Sequence, residues 1–165
     1  MAVRISKTLL VASIGLLALV IVFNNLTDYN ANFKYIQHVL SMDTVFADSH
    51  LTWRAIAAPG LQKVFYGAVI ATETTIAVLC LTGAVRLGRA VGDSGAAFNQ
   101  AKTTAVWGLT LAFLFWFVGF MVVAGEWFTM WQSIDWNGQQ PAFRFIGCVG
   151  FVLLYLSLSD SDLLA

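Results

Sequence analysis

The stretch of sequence that decides the fold is QKVFYGAVIATETTIAVLCLTGAV, residues 62–85, an apolar run whose interior carries one acid, Glu73. A helix needs about 20 mostly apolar residues to cross the hydrocarbon core of a bilayer. Residues 8–23, 103–125 and 143–158 are apolar over similar lengths. The sequence therefore predicts four membrane-spanning helices.

The composition of the whole chain agrees with a lipid environment. Of its 165 residues, 59% are hydrophobic and 11% are charged, whereas soluble proteins have roughly 45–50% apolar and about 25% charged residues. The net charge is zero, so we expect no nucleic-acid partner. We predict one domain, residues 1–165, with an all-α membrane fold: a four-transmembrane-helix bundle with a long, partly helical first extracytoplasmic loop.

The basic residues predict how the bundle is oriented. Cytoplasmic segments near helix ends carry an excess of Lys and Arg. With both termini in the cytoplasm, the short inner segments carry Arg4, Lys7, Arg86, Arg89 and Lys102. The longer outer segments carry Lys34, Arg54, Lys63 and Arg144. We also predict that the first span is an uncleaved anchor, because residues 23–26, FNNL, offer no small-residue cleavage site.

The first outer loop, residues 24–61, is long enough to fold. Phe33, Ile36, Val39 and Leu40 recur at helical spacing, which predicts a short amphipathic helix at the membrane surface. Asp48 resembles the N-cap of a second helix over residues 49–57, ended by the Pro-Gly pair at 59–60. We expect these segments to form a cap over the bundle.

The inner loop, residues 86–100, is rich in turn-forming residues and predicts a flexible connector. It contains neither a GxxxxGK[ST] nor a GxGxxG pattern, so we expect no nucleotide site there. His38 and His50 match no familiar ligand spacing. We therefore expect no metal and no cofactor.

Glu73 is the most informative residue of the membrane core. Counted from residue 62, it lies about 16 Å into the membrane, close to the midplane. At 100° per residue, one stripe of the second helix carries Gln62, Tyr66, Glu73 and Cys80. This stripe predicts a proton or cation relay or, alternatively, an interhelical hydrogen bond. For the second alternative, the candidate partners are Ser13, Thr110, Trp116 and Tyr155.

Three further patterns concern packing and the membrane surface. Gly67, Ala71 and Thr75 have small-xxx-small spacing, which predicts close helix packing inside the bundle, with a dimer face as the alternative. Glu126 and Arg144, at matching depths, predict an ion pair between two helix ends. The second outer segment contains Trp127, Trp131 and Trp136. Indole rings favour the headgroup zone, so we expect interface anchors, with a ligand-binding cage as the alternative.

Several segments together resemble a known family. They are FNNLTDY at 23–29, HVLSMDT at 38–44, WRAI at 53–56, TE at 72–73, WNGQ at 136–139 and AFRF at 142–145. The chain resembles, over almost its whole length, the bacterial DUF2165 family of predicted small integral membrane proteins. The resemblance implies a four-helix protein of proteobacterial inner membranes, but no activity and no catalytic residues.

These observations favour a non-enzymatic accessory or interaction protein, because the outer loops carry ordered-looking sequence while the membrane core offers one unpaired acid. We do not expect an enzyme, since no nucleophile or metal set converges. We expect it to contact the lipid bilayer and to dock a membrane or periplasmic partner through its outer loops. The candidate docking residues are Trp53, Arg54, Trp127, Trp131 and Trp136. The alternatives are a small proton-coupled transporter or channel that uses Glu73, and an immunity-type protein against a membrane-acting toxin. Self-association into a homo-oligomer stays open.

Overall fold

The computed structural model describes residues 1–162 and is all-helical over that range. Four helices are long and apolar enough to cross a membrane: Ala2–Thr27 (α1), Pro59–Ala90 (α3), Thr103–Trp127 and Gln139–Ser157 (α6). The third span is α5, Thr103–Leu114, which continues as a π-helix over Phe115–Trp127. We call this continuation the π segment. The predicted fold class, an all-α protein with four spans, is confirmed.

The helices extend beyond the apolar runs that predict them. The first span continues to Thr27 and so contains Asn25, which the sequence prediction placed in a loop. The second begins at Pro59 and continues to Ala90. Hydropathy marks where hydrocarbon begins, whereas the backbone remains helical as long as its hydrogen bonds are satisfied.

Small residues let the central helices of the bundle approach closely. A Cβ on Gly83 of α3 would lie 2.7 Å from the backbone of Ala105 in α5, and one on Gly15 of α1 would lie 2.9 Å from Leu81. These contacts hold together one apolar core shared by α1, α3, α5 and α6. The predicted stripe of Gly67, Ala71 and Thr75 does not take part, because all three residues are exposed. Bundle packing uses a different face of the same helix.

The two ends of the bundle differ in construction. The end that holds Met1 and Asp162, called here the terminal end, includes a short helix, α4, Gly95–Ala101. The Ser94 hydroxyl caps this helix by accepting a hydrogen bond from the Ala97 amide at 3.3 Å. The expectation of a flexible connector at residues 86–100 is therefore wrong, since α3 and α4 make most of this segment helical.

The opposite end, called the cap, covers the bundle with residues 29–58 and 128–138. Helix α2, Tyr29–Ser41, forms over the predicted amphipathic segment and buries Phe33, Val39 and Leu40. Two of these pack with Met42, Phe128 and Met130 in a small apolar core of the cap itself. The cap is thus folded around its own buried side chains.

The predicted helix over residues 49–57 does not form. The structure shows a single 3-10 turn, Thr52–Arg54, and Asp48 does not cap it. Pro59 occupies the first turn of α3 instead of ending a preceding helix. Proline suits that position because it has no N–H to leave unpaired and its φ is already helical.

Candidate functional site

Glu73 is buried, with 3% of its surface exposed. Its Oε2 accepts a hydrogen bond of 2.6 Å from the side-chain amide of Asn25 in α1. Among residues 1–162, no ion pair and no second hydrogen bond reaches this carboxyl group. The interhelical hydrogen bond has thus formed, but its partner is Asn25 and none of the four residues named from the sequence.

Tyr66 joins the same buried group. Its hydroxyl donates to the Asn25 backbone carbonyl at 3.1 Å and lies 3.4 Å from the Asn25 side-chain oxygen. Asn25 therefore links Tyr66 and Glu73, and we call these three residues the polar triad. An amide suits this position because it can donate to the acid and accept from the phenol at the same time.

The remaining residues of the predicted stripe are buried but lie apart from Glu73. Gln62 donates to the Ile56 carbonyl at 2.8 Å and so fastens the cap to the first turn of α3. Cys80 is a free, buried thiol packed against Gly108. The stripe does face protein, yet it is not a continuous chain of hydrogen bonds.

Glu73 lies near the middle of the bundle. It is about midway along α3, Pro59–Ala90. Ala112, Trp116 and Val149 line a small pocket with it, and these residues lie near the middle of the third span, Thr103–Trp127, and of α6, Gln139–Ser157. Three of the four spans therefore place Glu73 at about mid-height, whereas its partner Asn25 lies near the end of α1.

A cleft of about 200 Å³ opens beside the triad. Its lining includes Asn25, Tyr66 and Glu73, together with Asn32 and Tyr35 of α2 and Trp116 and Phe120 of the π segment. Burial raises the pKa of Tyr35 to about 12, against a smaller opposing effect of a backbone hydrogen bond with Gly138. The Tyr35 phenol is therefore a neutral group of this wall at physiological pH.

A second cleft of about 170 Å³ adjoins the first and is almost wholly apolar. The two clefts share Tyr35, Ile36, Val69 and Phe120 as a common wall. The second continues along the π segment past Phe115, Gly119 and Val123. π-helical turns are rare and are frequent at functional sites, and here the π segment forms one side of both clefts.

On the cap, Trp53, Arg54 and Trp127 form one cluster. The Arg54 guanidinium lies 5.3 Å from the Trp53 ring centroid and 4.5 Å from that of Trp127. It also donates to the Trp127 backbone carbonyl at 3.2 Å. Its Nε is buried and has no hydrogen-bond partner among residues 1–162. Trp53 is 70% exposed, so this Arg–Trp cluster is both ordered and accessible.

The other two predicted docking residues lie elsewhere on the cap. Trp131 packs edge-on against Phe46, with ring centroids 5.7 Å apart. Trp136 stacks on His38 at 4.4 Å, and His38 contacts Asp43 at 2.9 Å. Trp136 thus serves the internal packing of the cap, while Trp131 is exposed.

The predicted ion pair between Glu126 and Arg144 does not form in the described part of the chain. Glu126 is exposed at the end of the π segment, and Arg144 is exposed on α6. Matching depth along two helices did not bring the two side chains together, since both lie on outward faces.

A charge cluster at the terminal end was missed by the sequence analysis. The Asp160 carboxylate contacts the ammonium groups of Lys7 at 2.6 Å and Lys102 at 2.5 Å. Both ammonium groups also donate to the Leu158 carbonyl at 2.7 Å. We call Lys7, Lys102 and Asp160 the terminal lock. The only sequence signal for it was that both lysines lie at helix ends. Their common acid follows α6 and is distant from both in sequence, so the pairing could not be inferred.

The terminal lock is nearly dry, with the Lys7 and Asp160 side chains 1% and 5% exposed. Burial alone would raise the pKa of Asp160, but hydrogen bonds from Lys102 and Lys7 outweigh it and hold that pKa below its usual range. Burial lowers the pKa of Lys102, against the opposing effect of Asp160. Around the lock, Arg4 donates to the Asp93 carbonyl at 2.6 Å and to Asp162 at 3.2 Å.

The comparisons with known proteins agree with this architecture. No curated protein and no solved structure matches the chain significantly. One family model, described as predicted small integral membrane protein (DUF2165), matches residues 3–159. Because that match covers nearly the whole chain, the protein belongs to the DUF2165 family of integral membrane proteins.

Proposed function

We propose that this protein is a non-enzymatic accessory protein of the bacterial inner membrane that docks a membrane or periplasmic partner through its cap. The observation that carries the proposal is the Arg–Trp cluster. Trp and Arg are enriched among the residues that dominate binding energy at protein interfaces. Here Arg54 is already held between two indoles, so little side-chain entropy would be lost when a partner binds.

The folded cap supports this role. Its own apolar core holds the surface in one conformation, and the cap displays Ile134, which is 96% exposed. Such an isoleucine on a folded surface is suited to burial by a second protein. Interface anchoring by indoles is the competing explanation for Trp53 and Trp127, and it predicts contact with lipid alone.

Site-specific photocrosslinking in intact cells separates the two explanations. A benzophenone amino acid at position 53 or 134 is expected to form one discrete protein adduct. The same group at position 151 of α6, where Phe151 is 76% exposed in the spanning region, serves as the lipid-facing control. Arg54→Ala should remove the adduct at position 53. Adducts to lipid alone at positions 53 and 134 would overturn the docking role.

We further propose that the terminal end lies in the cytoplasm, supported by the basic residues there. In a Cys80→Ala, Cys148→Ala background, Ile134→Cys should react with a membrane-impermeant maleimide in intact cells. Ala96→Cys, exposed on α4, should react only after permeabilisation. The reverse pattern would contradict the orientation.

A small proton-coupled transporter or channel is the second candidate, favoured by the buried carboxyl of Glu73 beside a cleft. Buried apolar residues such as Cys80, Leu87 and Leu109 fill the bundle between Glu73 and the terminal end. Transport would therefore require these helices to move apart. Liposomes containing the protein should show a proton flux that Glu73→Gln abolishes, and unchanged flux in that variant would exclude this role.

A further inference from the structure

The cleft of about 200 Å³ beside the polar triad, called here the polar cleft, has two properties that a docking role of the cap does not explain. Glu73 is buried, and its Oε1 has no hydrogen-bond partner among residues 1–162. The same side chain lines the cleft. Burying an acid without a cation is unfavourable unless something compensates for the lost hydration. A group that fills the cleft and donates to Oε1 would provide that compensation.

The walls of the cleft indicate the charge of that group. No Lys, Arg or His lines either cleft in the described part of the chain. Four aromatic residues surround the polar end instead: Tyr35, Tyr66, Trp116 and Phe120. Aromatic rings attract a cation over their faces. A carboxyl group within an aromatic wall is thus suited to an ammonium group and unsuited to an anion.

Asn32 adds a second polar group to the lining of this cleft. Its side-chain amide donates to the Asp28 carbonyl at 3.0 Å and lies 3.3 Å from the Asn24 carbonyl. Within residues 1–162 no hydrogen bond reaches its side-chain oxygen. The cleft therefore contains a neutral acceptor as well as the carboxyl group, which suits a ligand that carries N–H bonds.

The adjoining apolar cleft indicates the rest of the ligand. It begins at the wall shared with the polar cleft and runs along the π segment, lined by Phe65, Phe115, Val123 and Phe128 among others. Apolar surface that leaves water there gains about 25 cal/mol per Å². An alkyl or aryl tail attached to the ammonium group fits this second space.

We propose that the protein binds an organic ammonium ion with an apolar tail, its head at Glu73 and its tail along the π segment. The proposal concerns equilibrium binding. It depends neither on a docking partner nor on movement of the ligand across the membrane.

Calorimetric titration of the purified protein in a non-ionic detergent tests the proposal, with octylammonium as the probe. Octanol, which has the same tail and no charge, is the matched ligand. Wild type should bind octylammonium more tightly than octanol. Glu73→Gln should weaken the affinity for octylammonium by about tenfold or more, as expected for loss of a close charge pair. It should leave the affinity for octanol unchanged. Glu126→Gln removes an exposed acid and is the matched control.

Equal octylammonium affinity in wild type and Glu73→Gln would overturn the proposal. Equal affinity of wild type for the two ligands would also overturn it, because the site would then be merely apolar. Gly119→Leu keeps the test decisive if Glu73→Gln does not fold. A Cβ on Gly119 meets only Phe115, at 3.9 Å, so the larger side chain would occupy the apolar cleft. Gly119→Leu should therefore weaken the binding of both ligands. Unchanged octylammonium binding in this variant would exclude the proposed site for the tail.

Discussion

The terminal end and the middle of the bundle each bury one acid, in opposite environments. Asp160 at the terminal end lies between two ammonium groups. Glu73, about midway along α3, has one amide donor and no cation within the described residues. Asp160 belongs to a closed set of hydrogen bonds, whereas one oxygen of Glu73 remains available beside a cleft.

The two environments suit different roles, a structural one for Asp160 and a ligand-binding one for Glu73. A buried ion pair contributes little net stability compared with apolar residues of similar volume, but loss of one member leaves an uncompensated charge. The terminal lock therefore holds α1, the start of α5 and the tail after α6 together. The polar triad holds α1 against α3 more weakly and leaves room for another group.

The largest effect is expected from Asp160→Ala. It leaves the Lys7 and Lys102 ammonium groups buried without their acid, and loss of one partner of a buried pair costs about 3–5 kcal/mol. Thermal unfolding in detergent measures the loss. Asp162→Ala is the control, because the Asp162 side chain is 68% exposed. Equal losses in the two variants would show that burial of the lock does not matter.

Acid should destabilise the protein by protonating Asp160 of the terminal lock. The pKa of Asp160 in the folded protein lies below its ordinary value of 3.8. The contribution of Asp160 to the free energy of unfolding is therefore complete above that value and is lost as the pH falls through the folded pKa. Between pH 6 and about pH 2, the free energy of unfolding should decrease in the wild type and decrease less in Asp160→Asn. Equal decreases in the two proteins would contradict a stabilising role of the Asp160 carboxylate.

Asn25→Ala is expected to cost less, about 1–3 kcal/mol. It removes the donor to Glu73 and the side-chain oxygen that lies 3.4 Å from the Tyr66 hydroxyl, while the backbone carbonyl that accepts from Tyr66 remains. Asn24→Ala is a close control, since Asn24 is exposed on the same helix. The unfolding temperatures of the two variants measure the difference. A loss no larger than that of Asn24→Ala would mean that the triad does not join α1 to α3.

The smallest effect on stability is expected from Glu73→Gln, within about 1 kcal/mol of wild type. Glutamine retains a side-chain oxygen for Asn25 and removes a charge that has no cationic partner in the described residues. The same unfolding measurement checks it. A loss as large as that of Asp160→Ala would show that the two acids play equivalent structural roles.

Sequence patterns predicted the parts of the fold that depend on continuous apolar runs. The four spans follow from hydropathy because lipid requires an unbroken apolar surface. Burial of Glu73 and Tyr66 followed from the helical period of one stripe. These features are local in the chain, so no knowledge of the partner helix was needed to expect them.

The features that depend on pairing between distant residues were not predictable in this way. Asn25 was placed outside the first helix, since its polarity ends the apolar run although the backbone stays helical. Asp160 lies far in sequence from Lys7 and Lys102, and nothing in its neighbours indicates two cationic partners. The π segment is as apolar as an ordinary span, so its wider turn has no compositional signal.

The terminal lock has a consequence for biosynthesis. Asp160 follows every spanning helix along the chain, whereas Lys7 lies near the start of the first. Until residue 160 has left the ribosome, the buried positions of Lys7 and Lys102 have no acid to neutralise them. A translation product truncated before this point leaves Lys7 and Lys102 without their common acid, so the terminal end can pack in its final form only after synthesis of the spans is complete.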